Sequence, residues 1–101
     1  MYIVSMDEVI RFDWDRANTE HIALHGVKPE EAEQALENDP VDLDYEVVET
    51  ENRWTSIGHT DRLRVLKLVW SLRGEAVRVV TALEASKNEA RAYLQAKGIA
   101  L

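Results

Sequence analysis

The chain contains no cysteine, so neither a disulfide framework nor a thiolate metal site is available to it. It holds only four glycines and two prolines in 101 residues, and no stretch is rich in Gly, Pro or Ser. Internal repeats and low-complexity tracts are absent as well. A single domain spanning 1–101 with one core is therefore expected. No apolar run approaches the ~20 residues of a membrane span. The opening M-Y-I-V-S-M-D-E lacks the basic region and long apolar stretch of a signal peptide, and residues 1–8 read as a loose leader. These absences make a cytoplasmic protein without membrane contact the expectation. Basic side chains are scarce in the first half: residues 1–51 carry 15 acidic groups against 3 basic ones, a balance of −12. Residues 52–101 carry 4 acidic groups against 9 basic ones, a balance of +5, giving −7 for the chain. An acidic total disfavours nucleic acid, whereas the asymmetry between halves is the pattern of a partner-binding surface or of two solvated faces of opposite sign.

Recognisable catalytic signatures are also missing. There is no Gly-rich phosphate loop, no Ser–His–acid order, no paired-carboxylate signature and no H-E-x-x-H. The densest local grammar lies instead between Phe12 and Leu36, which writes two short helices. Asp15 is placed to cap the first, Gly26 to end it in the left-handed conformation, and Pro29 to open the second. The first is expected over about Arg16–Leu24 and the second over about Pro29–Asn38, with Val27 and Ala32 spaced as a hydrophobic staple. Before them, Ile10, Phe12 and Trp14 alternate with Arg11 and Asp13, as in a short strand over 10–14.

After Asp39-Pro40 the apolar period changes to two. Leu43–Glu49, Arg53–His59, Arg64–Leu72 and Ala76–Ala82 read as four strands joined by hairpin-sized turns at 50–52, 60–63 and 73–75. Ser86 and Glu89 then form a capping box for a last helix that Gly98 stops near Lys97, with Ala90, Tyr93, Leu94 and Lys97 facing inward. The order predicts an α+β fold: an N-terminal strand, two short helices, a four-stranded antiparallel meander and a C-terminal helix.

Three groups of residues could carry chemistry. His21 and His25, one helical turn apart, would suit zinc if His59 or a carboxylate supplied a third ligand; their plain role is as polar residues at a helix end, where the dipole favours them. The expected turn lengths place Trp70 opposite Arg78 and Arg53 opposite Trp70, with Lys67 opposite Thr81. Arg53, Trp70 and Arg78 would then form a row able to hold a phosphate and stack a base, or simply an indole covering two arginine stems. On the last helix, Lys87 and Arg91 would neutralise a phosphate and Tyr93 would donate a proton, unless Tyr93 belongs to the core. The glutamates at 30, 31 and 33 and the six acidic residues from Asp39 to Glu51 suit a basic protein partner better than RNA.

The string F-D-W-D…H-I-x-x-H-G-V-x-P-E-E-A, followed by Arg53-Trp54, Ile57-Gly58, Thr60, Arg64, Val79 to Ala82, Ala85-Ser86, Glu89, Arg91 and Tyr93, resembles the BrnT family of toxins from type II toxin–antitoxin modules. The likeness runs from about Arg11 to Tyr93. It implies a RelE-like ribonuclease fold in a bacterial protein, RNA cleavage without a metal or other cofactor, and neutralisation by a dimeric, DNA-binding BrnA-like antitoxin. Three positions depart from the family pattern: Leu24 stands where lysine usually precedes H-G, Leu83 where arginine follows the last strand, and Asn18 where lysine is frequent.

On this resemblance His25, Arg53, Arg64, Arg78 and Tyr93 are the catalytic candidates, with Trp70, Lys67 and Lys87 touching substrate. His25 would act as base or acid, and Arg53 and Arg78 would clamp the phosphate. The second reading is a member that keeps the fold, has lost catalysis and binds a protein partner. A zinc-binding regulatory domain is the third, and a homodimer is compatible with each.

Overall fold

Residues 10–99 are described by a computed structural model, so the leader expected over 1–8 lies outside them. The elements run α1 (Arg16–Ala23), α2 (Pro29–Glu37), β1 (Val41–Val48), β2 (Glu51–His59), β3 (Val65–Arg73), β4 (Ala76–Glu84) and α3 (Lys87–Ala96). The four strands form one antiparallel sheet in the order β1-β2-β3-β4. The segment expected as an N-terminal strand joins the sheet at one point only, a parallel bridge between Phe12 and Val77 at the outer edge of β4. Two hydrogen bonds make it: Asp13 N–H to Val77 C=O and Val77 N–H to Arg11 C=O, both 2.8 Å.

The helix punctuation acts as the sequence suggests. The Asp15 carboxylate accepts from the Asn18 amide at 3.1 Å, while the Asn18 side chain accepts from the Asp15 amide at 2.8 Å. Gly26, at φ +71°, reverses the chain after α1, and Pro29 opens α2, where a missing N–H costs nothing. Ser86 and Glu89 bond reciprocally at the start of α3.

The turns differ by single residues from the expected ones, and these slips matter later. Val48 pairs with Glu51, leaving Glu49-Thr50 as a two-residue turn with both φ angles positive, the geometry that matches strand twist. His59 pairs with Val65, so the next connection has five residues; buried Thr60 organises it by accepting from the amides of Arg62 and Arg64. Arg73 pairs with Ala76, leaving only Gly74-Glu75 between β3 and β4. A bulge follows, because Trp70 pairs with Val79 but Val69 with Thr81, and Val80 is the extra residue.

Each face of the sheet carries its own apolar cluster. On one, Ile22 of α1, Val27, and Ala32, Ala35 and Leu36 of α2 pack on Leu66, Leu68, Val79 and Ala82, with Phe12, Trp14, Trp70 and Val77 around them. On the other, Tyr93 and Leu94 of α3 pack on Ile57 and Val65. Fully burying each large aliphatic side chain is worth about 1.5–3 kcal/mol, so the larger α1/α2 cluster carries more of the stability.

α2 comes close to the sheet at Gly58 of β2. A Cβ added there would overlap the carbonyl of Ala35, which is backbone and has no room to retreat. Gly58→Ala is expected to lower the unfolding free energy by about 2 kcal/mol or more in urea denaturation, the cost of overpacking a rigid contact. Gly74→Ala, where nothing lies within 4 Å, serves as the comparison for a purely conformational penalty.

Candidate functional site

The observed register redraws the expected cationic row. At Trp70 both hairpins are offset by one residue from the expected pairing and in the same sense, so both arginines face Ser71; beyond the bulge the offset grows to two, and Lys67 faces Leu83 instead of Thr81. Trp54 pairs with Trp70, and Arg78 pairs with Ser71. Arg53 and Ser71 are the next residues out along the β2–β3 ladder, so the row reads Arg53, Ser71, Arg78. Alternation puts Glu51, Arg53, Lys67, Ser71, Arg73 and Arg78 on one face of the sheet and the tryptophans on the other. Trp70 therefore takes no place between the arginines. It stacks on Trp54 at 4.7 Å and 20°, and its indole N–H donates to Ser56 Oγ at 2.9 Å.

α1 packs on the opposite face, with Leu66, Leu68 and Val79, but a cleft of about 280 Å³ is lined by residues of α1 together with the arginines. Ala17, Asn18 and His21 line one side; Glu51, Arg53, Arg73, Arg78, Val79 and Val80 line the other. Asn18 fixes the helix there: it is buried, and its amide donates to the carbonyls of Asp13 at 3.0 Å and Val79 at 3.4 Å. His21 and not His25 thus shares the cleft with the guanidiniums. His25 stands one turn further along α1, with its ring edge-on to that of His21 at 5.7 Å. Both imidazoles are exposed.

The cations of the cleft are unequally committed. Arg78 is held by Asp15 at 3.1 Å and Asp13 at 3.4 Å. The bond to Asp15 is the main reason its pKa is raised, and the same bond, with the Asn18 amide, lowers that of Asp15. Arg53 has only a loose contact with Glu51 at 3.8 Å, and its Nε is buried without a hydrogen-bond partner. The Ser71 hydroxyl in the same row is fully buried and equally without one. Arg73 is exposed and forms no ion pair among the described residues. A buried donor without an acceptor costs about 1–3 kcal/mol, so this row gains most from an incoming anion.

The remaining candidates lie elsewhere. Arg64 ties the α1–α2 turn to the sheet: its Nη1 donates to the Gly26 carbonyl at 2.9 Å and to both Glu31 oxygens, and its Nε to Glu84 at 3.2 Å. Burial pulls its pKa down, but the bonds to Glu31 and Glu84 outweigh that and leave it raised. Tyr93 is buried under α3, where its hydroxyl bonds His59 Nδ1 at 2.8 Å, and burial raises its pKa. Lys67 is paired with Glu89 at 2.9 Å, and Lys87 is exposed on α3. His59 thus bonds Tyr93, and among the described residues no three His, Asp or Glu side chains gather as a metal site would require.

A family model matches residues 14–89, described as ribonuclease toxin, BrnT, of type II toxin–antitoxin system. The chain belongs to the BrnT toxin family. No curated protein matches it. The matched span contains the whole cleft, from Ala17 to Val80.

Family membership gives the three departures a physical reading. Asn18, in place of lysine, both accepts from the Asp15 amide through Oδ1 and donates to the Val79 carbonyl through Nδ2; an ammonium, with no acceptor, could not do the first. Leu24 is 82% exposed, so a BrnT lysine there would have reached solvent freely. Leu83 lies opposite Lys67 in the β3–β4 ladder and is 40% exposed.

Two cleft residues, His21 and Arg73, were legible only as a zinc candidate and as part of a turn. The clue to Arg73 is its odd-numbered parity with Lys67 and Ser71 along β3, which puts all three on one face.

The Lys67–Glu89 pair yields a pH prediction. The Lys67 ammonium, then the Ser86 amide, holds the Glu89 carboxyl down from 4.5 to about 2. Its contribution is therefore complete above the unfolded value and is lost as the pH falls through the folded one. Denaturant midpoints should drop between pH 4.5 and 2, and Glu89→Gln should flatten that part of the profile.

Proposed function

We propose that this BrnT family member is a metal-independent endoribonuclease that lays RNA across the arginine-lined face and cleaves it beside His21. The observation that supports this most is one cleft holding an imidazole together with Arg53, Arg73 and Arg78. Imidazole titrates near neutral pH, so His21 is suited to take the proton from a ribose 2′-hydroxyl. The 2′-oxygen then attacks the adjacent phosphorus, and the bond to the 5′-oxygen breaks. The imidazolium returns the proton to that oxygen, leaving a 2′,3′-cyclic phosphate and a free 5′-hydroxyl. Arg53 and Arg73 are the groups with donors to spare for the charge that builds on the phosphorane. Arg78 takes part once phosphate displaces a carboxylate from it. His25 is the supporting imidazole, while Arg64, Tyr93 and Lys67 hold the scaffold; Trp70 lies on the face opposite the arginines, packed against the α1/α2 cluster, and Lys87 is exposed on α3.

The type II family context supports a protein antitoxin as partner. A BrnA-like antitoxin and a cytoplasmic setting complete the proposal. The neutralisation of Arg78 by Asp13 and Asp15 favours a second reading, in which catalysis is lost and only antitoxin binding remains.

Cleavage of a synthetic RNA in EDTA separates the two. His21→Ala and Arg53→Ala are expected to lower the rate at least 100-fold, the usual cost of losing an acid–base group or a charge stabiliser. His25→Ala should cost less than 10-fold. Equal losses at His21 and His25 would move the acid–base role onto the pair. Absence of any cleavage, with the antitoxin complex intact, would establish the second reading.

A further inference from the structure

β1 is an edge strand: it pairs with β2 on one side, and among the described residues nothing pairs with its other side. Such an edge presents a row of free backbone donors and acceptors. Its side chains are unusually bare for a strand of eight residues. Leu43 is 51% exposed, Tyr45 52% and Val47 58%. A bulge between Asp42 and Asp44 switches the alternation, so Asp44 and Glu46 share the α3 side with Leu43 while Tyr45 and Val47 lie on the other side. From Asp39 to Glu51 the chain carries six carboxylates and no lysine or arginine.

Two apolar features flank this edge. Towards α3, Val41, Leu43, Ile57, Ala92, Tyr93 and Ala96 line a groove of about 340 Å³. On the opposite face the Tyr45 ring lies 5.4 Å from Trp54, which stacks in turn on Trp70. An added strand would therefore place successive side chains alternately on the α3 side, against Asp44 and Glu46, and beside Tyr45, Val47 and the aromatic ladder.

The occupant is constrained by charge. A second copy of the chain would bring the same six carboxylates against these, and like charges across a strand pair are destabilising. We propose that the free edge of β1 binds an extended, basic segment of a partner protein, which adds as a fifth strand with its apolar residues beside Tyr45 and Val47 and its lysines or arginines against Asp44 and Glu46 on the α3 side. Backbone pairing supplies the register, and the alternation supplies selectivity. This surface is distinct from the His21 cleft, so its occupation does not depend on whether that cleft cleaves RNA.

The test uses the full chain, ¹⁵N-labelled, with three nine-residue peptides as probes. One alternates lysine with valine or leucine; one has glutamate in place of each lysine; one is the lysine peptide N-methylated at every second amide. The lysine peptide is expected to shift amides of 41–48 and 92–96 and to bind at least tenfold tighter than either control. Asp44→Lys and Val47→Lys should each weaken it at least tenfold while leaving the circular dichroism spectrum unchanged. Equal binding of the glutamate or N-methylated peptide would overturn the proposal, as would shifts centred on His21, Arg53 and Arg78. Dimerisation of the free chain that Val47→Lys abolishes would overturn it in favour of a second copy. RNA cleavage measured on the same two variants reports on the other site separately.

Discussion

Strand side chains alternate between faces, so the pairing of β2, β3 and β4 decides which residues meet α1 and which meet the opposite layer. Trp54 opposite Trp70 and Ser71 opposite Arg78 are the two pairings that matter most. They send both indoles to one side and collect Arg53, Arg73 and Arg78 on the other. The bulge at Val80 lets β4 satisfy two demands at once: Arg78 stays with Ser71, while Ala82 remains opposite Leu68 in the core. Without that extra residue, one of the two would be turned to the wrong side.

The sequence made the helices more legible than the sheet contacts, for a physical reason. Capping is local: Asp15 with Asn18, Ser86 with Glu89, and Pro29 at the head of α2 each involve residues within a turn of each other. Register is not local. It depends on whether Arg73 belongs to a turn or to β3, and on which amides Thr60 takes up, and the bulge is set by packing across the sheet. The α+β order and the four-stranded meander were readable from periodicity, whereas the identity of the residue between Arg53 and Arg78 was not. His25 stands out in the sequence because it lies in H-G-V-x-P-E-E; His21, one turn earlier, is brought to the cleft by the buried anchor of Asn18.

The charges of the two halves of the chain meet in space: Glu46 pairs with Arg53 across the sheet, Glu51 lines the arginine cleft, and Asp13 and Asp15 hold Arg78. Lys67 and Arg64, which could have enlarged the cationic field, are each engaged by glutamates that fasten helix to sheet. A partly exposed pair of this kind contributes little on its own, often below 1 kcal/mol, but it fixes where a cation is held. Within the cleft the cations are Arg53, Arg73 and an Arg78 already held by two carboxylates.

Asp15 belongs to two systems at once. Its carboxylate closes the first turn of α1 through the Asn18 amide and also neutralises Arg78. Any anion that takes Arg78 away leaves that carboxylate with the helix start as its remaining partner. The firmness of the first turn and the vacancy of the guanidinium are therefore linked quantities, and a filled cleft would be felt as a tighter beginning of the helix that carries His21.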